Sequence, residues 1–401
     1  MPHPPSRALE GVRVLELGSF IAGPFAGQLL GDLGAEVVKV EPPSTGDPMR
    51  RWGVCVDGRS LWWPAIARNK RSVAIDLRDT RGRELVGRLA AHCDVVLENF
   101  RPGTLPQWGL GYDVLAAANA GVVVVHVSGF GQTGPRAHEP GFGSIGEAMG
   151  GIRHTTGPPD RPPSRAGVSL GDALAAMFAV IGALAALRER ERSGRGQEVD
   201  VAIYEAVFAL MESTVADFEL AGVTRRRSGG VLPGVAPSNA YPTSDGHEVV
   251  IAANADAVFA RLATAMGRPD LAADPLYAEH SARGERMADL DAEIARWTVT
   301  LTTGELISRL EEHAVPVGRI YDAGDIADDV HYAARDMILR LAAGFDRAVP
   351  MAGVVPKLSR TPGRVISVGP ALGEHTDAVL RGIVGCDDIE LEQLRAAGVI
   401  A

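Results

Sequence analysis

Over the first 130 residues the apolar positions fall into short, dense runs separated by polar punctuation: Val12 to Leu17, Glu36 to Val40, Ser72 to Leu77, Asp94 to Glu98 and Val122 to Val127. Each run is rich in β-branched residues and has the length of a strand. Between them, Pro24 to Leu33 and the segment RGRELVGRLAAHC space their apolar residues by three and four, which predicts helices. Strands this apolar, alternating with helices, suit a parallel sheet covered on both faces. The pattern predicts a doubly wound, Rossmann-like α/β domain.

Farther along, Ala173 to Leu187 carries no formal charge and ends at the charged run RERERSGRG, which predicts a buried helix. The segment VDVAIYEAVFALMESTVADFELAG predicts a second long helix from Val199 to Gly222. A stretch rich in Gly, Pro and Arg, Thr224 to Gly246, marks a linker or binding loop. HEVVIAAN then opens a smaller α+β domain with a strand, followed by helices in FARLATAMGR, MADLDAEIARWTVTL and TGELISRLEEH. The expected division is a large domain over 1–223, a linker over 224–239, a small domain over 240–330 and a C-terminal segment over 331–401. In that last segment VVPKL and GRVISVG are expected as short strands.

Composition narrows the partners more than the fold. A chain of 401 residues has room for two domains, and 46% hydrophobic with 22% charged residues is ordinary for a globular protein. The net charge of -10 offers nucleic acid and anionic membranes no electrostatic attraction, so neither is expected as a partner. Cys55, Cys93 and Cys386 lack metal-ligand or redox spacing, so neither disulfides nor a bound metal are expected. The N-terminus lacks the pattern of a signal peptide, and no uninterrupted apolar run has the length of a membrane span, so a cytoplasmic location is expected.

The first strand–helix turn, LELGSFIAGPFAGQLLGDLGA, tests for a dinucleotide site. Gly18, Gly23 and Gly27 do not form the G-x-G-x-x-G spacing that brings backbone against a pyrophosphate, so NAD is disfavoured. Glu41, at the end of the second strand, is a candidate for a ribose hydroxyl. Asp172 opens the apolar helix, and by position alone it reads as an N-cap.

Its surroundings change that reading. The segments AGPFAGQLLGDLGAEVVKVEPPSTGDPMR, NKRSVAIDL, ENFRPGTL, HVSGFGQTGP, PGFGSIGEAMGG, LGDALAAMFAVIGALAALRERERSGRGQEVDVAIYEA and LGEHTD together resemble the class III CoA-transferases, the family of formyl-CoA and carnitine CoA-transferases. The resemblance runs from about Leu9 to beyond Asp377. It implies that Asp172 is a nucleophile: a mixed aspartyl anhydride with free CoA thiolate, attack by the acceptor carboxylate, an aspartyl-CoA thioester, and transfer of CoA to the new acid. Coenzyme A would enter as a thioester substrate, with no permanently bound cofactor. Anchoring a weakly nucleophilic carboxylate beside the thioester makes the step effectively unimolecular, and a helix N-terminus would favour its ionised form.

For the nucleotide and pantetheine, the resemblance points to Asn99, Phe100, Lys70 and Arg71, with Arg101 in the same loop. Formyl-CoA transferase has basic side chains where this chain has Pro42 and Gln107, so Arg50, Arg51 or Arg101 are expected to replace them. Ile21 stands where that enzyme has an oxalate-contacting Gln, and its tetraglycine lid is missing here. GFGSIGEAMGG and PSRAGVSLGD look more like members that take succinyl-CoA and give CoA to malate, citramalate, mesaconate or itaconate. A second carboxylate on the acceptor would need a cation or N–H nest, with Arg165, His154, Ser238 and Asn239 as candidates beside Phe142 and Gly143.

Two rivals stand beside this reading. A 2-methylacyl-CoA racemase of the same fold would need an imidazole in the segment that here contains Phe142 and Gly143, unless His126, His138 or His154 took its place. A non-catalytic acyl-CoA-binding protein is the other. The resemblance further implies an interlocked homodimer, with the C-terminal segment returning to the large domain and the small domain of one subunit facing the active site of its partner.

Overall fold

A computed structural model describes residues 6–401. The chain forms two compact units: residues 6–153 together with 166–214 and 331–401, and residues 154–165 with 215–330.

The larger unit is built on six parallel strands, β1 (Arg13–Glu16), β2 (Glu36–Glu41), β3 (Lys70–Ala74), β4 (Val95–Glu98), β5 (Val123–Ser128) and β6 (Glu198–Ala202), in the order β3-β2-β1-β4-β5-β6. The order reverses direction at β1 and β4, so the turns after those strands open the crevice where doubly wound sheets bind ligands. Helix α1 (Ala22–Asp32) packs on one face, and helix α2 (Thr80–Ala90) on the other, where Leu85, Val86 and Leu89 join Val379, Leu380 and Leu391 of the returning C-terminal segment.

The long apolar helix is α4 (Leu170–Ser193), preceded by the short helix α3 (Gly143–Met149). Ala175, Ala176, Ala179 and Ala183 are buried in the core cluster that α1 also joins, so small side chains bring α4 close to the sheet. By length and composition α4 could cross a membrane, yet half of its apolar window is buried inside the fold. Met177, Phe178 and Ile181 form a face left exposed, 43%, 36% and 60% respectively.

The expected long helix over Val199 to Gly222 does not exist. Glu198–Ala202 is the sixth strand, followed by α5 (Ile203–Phe208) and a separate helix over Thr214–Ala221. Val199 and Val201 alternate with period two opposite Val125 and Val127 of β5, and that pairing outweighs helix propensity. VVPKL and GRVISVG are not strands either; a hairpin of Ile338–Leu341 with Val349–Ala352 supplies the regular pairing in this segment. Ile366 N–H donates to Asn69 Oδ1 instead, and Asn69 N–H donates to the Ser367 carbonyl.

The smaller unit carries a three-stranded antiparallel sheet of β7 (Ser238–Pro242), β8 (Glu248–Ala252) and β9 (Val317–Arg319), with β8 in the centre. Tyr241, Val249, Ile251, Phe259, Leu290 and Leu306 form its core. Ser238 and Asn239, expected in the connecting loop, belong to a sheet edge, and the segment 154–165 belongs to this unit and not to the large domain.

Candidate active site

Asp172 is the third residue of α4, inside its first turn, and Ser169 occupies the N-cap position. The carboxylate is therefore not the helix cap that position alone suggested. It lies against Gly143, the first residue of α3: a Cβ built there would sit 2.3 Å from Asp172 Oδ2 and 3.0 Å from Oδ1. Only a glycine leaves that space to the carboxylate. Two first turns thus meet at one acid, and both helix dipoles favour negative charge there.

The glycines of GFGSIGEAMGG explain how α3 gets so close. A Cβ on Gly146 would lie 2.5 Å from Ile203, and one on Gly150 2.6 Å from Val207, so α3 rests its bare backbone on α5. Each of these glycines sits where a side chain would push the loop off its support.

An aromatic ridge starts at the residue before Gly143. Phe142, the residue before Gly143, is 67% exposed and meets Phe20 edge-on with centroids 6.4 Å apart; Phe20 meets Trp52 in the same manner at 5.6 Å. Phe20 holds a left-handed backbone with φ of 63°, and its N–H donates to Asp47 Oδ1. A bulky residue in that conformation is strained and needs surroundings that over-determine it. Ile21 packs on the buried group of Met49, Trp63, Ile66 and Ala67. Phe20 and Trp52 were missed in the sequence, because neither belongs to a periodic pattern and their meeting is a tertiary event.

What holds the Gly18–Phe20 turn is a group of buried ions. Lys39 Nζ lies 2.9 Å from Glu16 Oε1 and 2.8 Å from Asp47 Oδ2, and donates to the Gly18 carbonyl at 2.8 Å. Burial by itself would lower the Lys39 pKa, but the charges of Glu16, Asp47 and Glu41 raise it above the ordinary lysine value. Lys70 Nζ pairs with Glu16 Oε2 at 2.8 Å and donates to the Pro24 carbonyl at 2.6 Å, with its side chain wholly buried. Burial is the main cause that lowers its pKa. Lys70 is thus a core ion under the turn and not a contact for a nucleotide phosphate.

Glu41 is corrected for a similar reason. Its buried carboxylate already accepts from Arg50 Nε at 2.7 Å, Arg50 Nη2 at 2.8 Å, Ser72 Oγ at 2.5 Å and Asp47 N–H at 2.9 Å, leaving nothing for a ribose. Arg50 is held by this acid and stacks on Trp63, so it too is unsuited to phosphates. Arg71 pairs with Glu36, as does Arg13. These three line a cavity of about 600 Å³ at the amino ends of β1, β2 and β3, the edge of the sheet opposite the Gly18 and Asn99 turns. Arg51 and Arg101 remain exposed.

Asn99 joins the two crevice turns: its Oδ1 accepts from Ser19 N–H and its Nδ2 donates to the Ser19 carbonyl, both at 2.8 Å. Phe100 N–H donates to Glu98 Oε2 at 2.6 Å, and its ring meets Trp108 at 5.1 Å. Glu98 Oε1 in turn lies 2.5 Å from His126 Nδ1, whose Nε2 is 3.1 Å from Glu198. Burial would lower the His126 pKa, but its bonds to Glu98 and then Glu198 raise it overall. His126 is therefore clamped between two acids. His138 and His154 are exposed, and His154 lies in the smaller unit. In that unit Asn239 Nδ2 donates to Asp291 and its Oδ1 accepts from Ala240 N–H, while Arg165 is exposed and Ser238 half-buried.

Asp172 thus sits in the first turn of α4 with Gly143 at its back, and Asn99 holds the two crevice turns together. The sequence profile of CoA-transferase family III matches residues 9–376. The chain belongs to CoA-transferase family III. Within that family it is 56% identical over 397 residues to the succinyl-CoA–D-citramalate CoA-transferase of Chloroflexus aurantiacus, covering 99% of both chains. The succinyl-CoA–L-malate CoA-transferase of Chloroflexus aurantiacus has alpha and beta subunits that are each 41% identical to it, with 98% of this chain covered and 92% and 98% of theirs. Among solved structures, a CaiB/BaiF family protein from Brucella suis superposes with a TM-score of 0.82 at 35% identity, covering 94% of this chain and 100% of that one.

Proposed function

We propose that this CoA-transferase moves CoA from succinyl-CoA to a free 2-hydroxydicarboxylate of the malate and citramalate class, with Asp172 as the covalent nucleophile. The observation that carries the mechanism is the Asp172 carboxylate seated on Gly143 where the first turns of α3 and α4 meet. The reading of the acceptor rests on the names of the two relatives: D-citramalate and L-malate share a four-carbon dicarboxylate backbone with a hydroxyl at C2.

The chemistry runs in four balanced steps. Asp172 attacks the thioester carbonyl, the C–S bond breaks, and CoA thiolate leaves a mixed aspartyl–succinyl anhydride. The thiolate returns to the aspartyl carbonyl and releases succinate, giving the aspartyl-CoA thioester. The acceptor carboxylate attacks that carbonyl, and CoA thiolate leaves a second anhydride. The thiolate then attacks the acceptor's carbonyl, which frees Asp172 and the new acyl-CoA. The Phe142 carbonyl already accepts from the Ile145 and Gly146 N–H groups, so the N–H groups of Gly143 and Ser144 are the first-turn donors of α3 for the developing oxyanion. The Phe20, Trp52 and Phe142 ridge keeps water from the anhydride, whose hydrolysis would waste the thioester.

For CoA itself, the Phe100 turn supports the pantetheine, and Arg51 and Arg101 are the exposed cations for its phosphates. Two chains of this fold serve together as alpha and beta subunits in the malate enzyme, which favours two copies of this chain pairing over the exposed α4 face. In the family's interlocked arrangement the small unit of a partner copy faces the acid, and Arg165 and Ser238 are the side chains it would bring. A cytoplasmic location fits an enzyme of CoA thioesters.

Incubating succinyl-CoA or acetyl-CoA with D-citramalate, L-malate, mesaconate or itaconate, and in parallel a 2-methylacyl-CoA alone, in deuterated buffer, read by mass spectrometry, tests the reading. New acyl-CoA from succinyl-CoA and a hydroxydicarboxylate supports it. Deuterium at C2 of a 2-methylacyl-CoA without CoA exchange would establish the racemase instead, and binding without either would leave a non-catalytic protein.

A further inference from the structure

Helix α4 starts without help from the side chain of its N-cap residue. Ser169 makes no side-chain bond to the first turn, although serine is among the side chains best suited to do so. The Gly171 N–H, one residue before the nucleophile, donates instead to Glu147 Oε1 at 3.3 Å. Glu147 lies four residues after Gly143 on α3, hence on the same helix face as the glycine that supports Asp172. The side chain is buried, 2% exposed, and its Oε2 accepts from Arg153 Nε at 2.9 Å.

The contact between the helices is tight here. A Cβ on Gly171 would lie 2.9 Å from the Gly143 carbonyl oxygen and 3.2 Å from Glu147 Cγ. Core packing alone would be served as well by an apolar side chain at 147, since the neighbouring α3 contacts are Ile203 and Val207. A buried carboxylate is costly there unless paired, and Arg153 supplies the pairing. What an apolar side chain could not do is accept the Gly171 N–H.

We infer that Glu147 is a positioning residue for the transfer reaction, a cap supplied from α3 that fixes the first turn of α4 and so the direction in which Asp172 meets the thioester. The inference rests on the reading of Asp172 as nucleophile. Its physical basis is that near-attack geometry tolerates little error: a displacement of about 1 Å at a reacting group can lower the rate about 100-fold.

The test uses the full chain with succinyl-CoA, following acylation of Asp172 in a single turnover by hydroxylamine trapping and peptide mass spectrometry, beside steady-state kcat and KM. Glu147→Gln keeps an oxygen acceptor and is expected within about 3-fold of wild type. Glu147→Met fills the space with only a weak thioether acceptor in place of the carboxylate, and its acylation rate and kcat are expected to fall about 10- to 100-fold while KM for succinyl-CoA holds. Should that variant not fold, Glu147→Asp, which draws the acceptor back by one methylene, is expected to show the same split. Wild-type acylation rates in the folded Met or Asp variants, or a rise in KM with kcat unchanged, would overturn the positioning role. Absence of label at Asp172 in the wild type would overturn the nucleophile reading, and the inference with it.

Discussion

A side chain at position 143 and a carboxylate at 172 exclude one another, because the space a Cβ would take is already held by the acid's oxygens. Gly143→Ala is therefore expected to fold, to bind CoA, and to lose roughly 100-fold or more in kcat as Asp172 is turned away; equilibrium binding beside steady-state rates checks this. The aromatic ridge makes a different prediction. Trp52 is 48% exposed and touches Phe20, so Trp52→Ala removes apolar surface from the rim without disturbing the core. Its effect is expected in KM for the acyl donor, by about 10-fold, with increased hydrolysis of succinyl-CoA in the absence of acceptor. Asp172 itself was legible in the sequence through its motif, but its role as a residue inside the helix was not, since the position of the cap depends on the φ and ψ of Ser169.

At the scale of elements, the strand ends carry more charge than a parallel sheet needs for stability, and the charge is spent on turns. Lys70→Met would leave the Glu16 carboxylate with one cation where it had two; unfolding by denaturant is expected to show a loss of roughly 3 kcal/mol. The Glu98–His126–Glu198 group gives a prediction in pH. The folded pKa of His126 is raised above its ordinary value of 6.5, so the stabilisation is fully present below that value and is lost as pH rises through the folded pKa. The difference in Tm between wild type and His126→Gln is expected to shrink across that range on going alkaline; a constant difference would contradict the assignment. Five of the six parallel strands could be read from apolar runs. The sixth, Glu198–Ala202, could not, because VDVAI runs directly into a helix and its period-two signal is short. Sequence does not show whether a charged residue at a strand end is open to a ligand, and only the fold shows that Glu16 takes up Lys70 while Arg50 and Ser72 take up Glu41.

On the scale of the whole molecule, an exposed apolar face on the helix that bears Asp172 is unfavourable for a lone chain. Met177, Phe178 and Ile181 in one stripe predict self-association, and Ile181→Glu is expected to shift the mass measured by light scattering from dimer to monomer. A wild-type chain that is monomeric at micromolar concentration would contradict this. The two-unit organisation was legible in outline from the composition change near Thr224, but the strand at Ser238–Pro242 and the excursion of 154–165 into the smaller unit depend on long-range pairing that no local pattern announces.

The central claim is that Asp172 becomes covalently acylated during CoA transfer. Wild-type chain mixed with succinyl-CoA and a hydroxydicarboxylate, then quenched with hydroxylamine and digested, should yield an aspartyl hydroxamate at Asp172 in amounts that depend on succinyl-CoA, and Asp172→Asn should yield neither hydroxamate nor product. Full turnover by Asp172→Asn, or turnover by the wild type with Asp172 unmodified under trapping, would contradict the account.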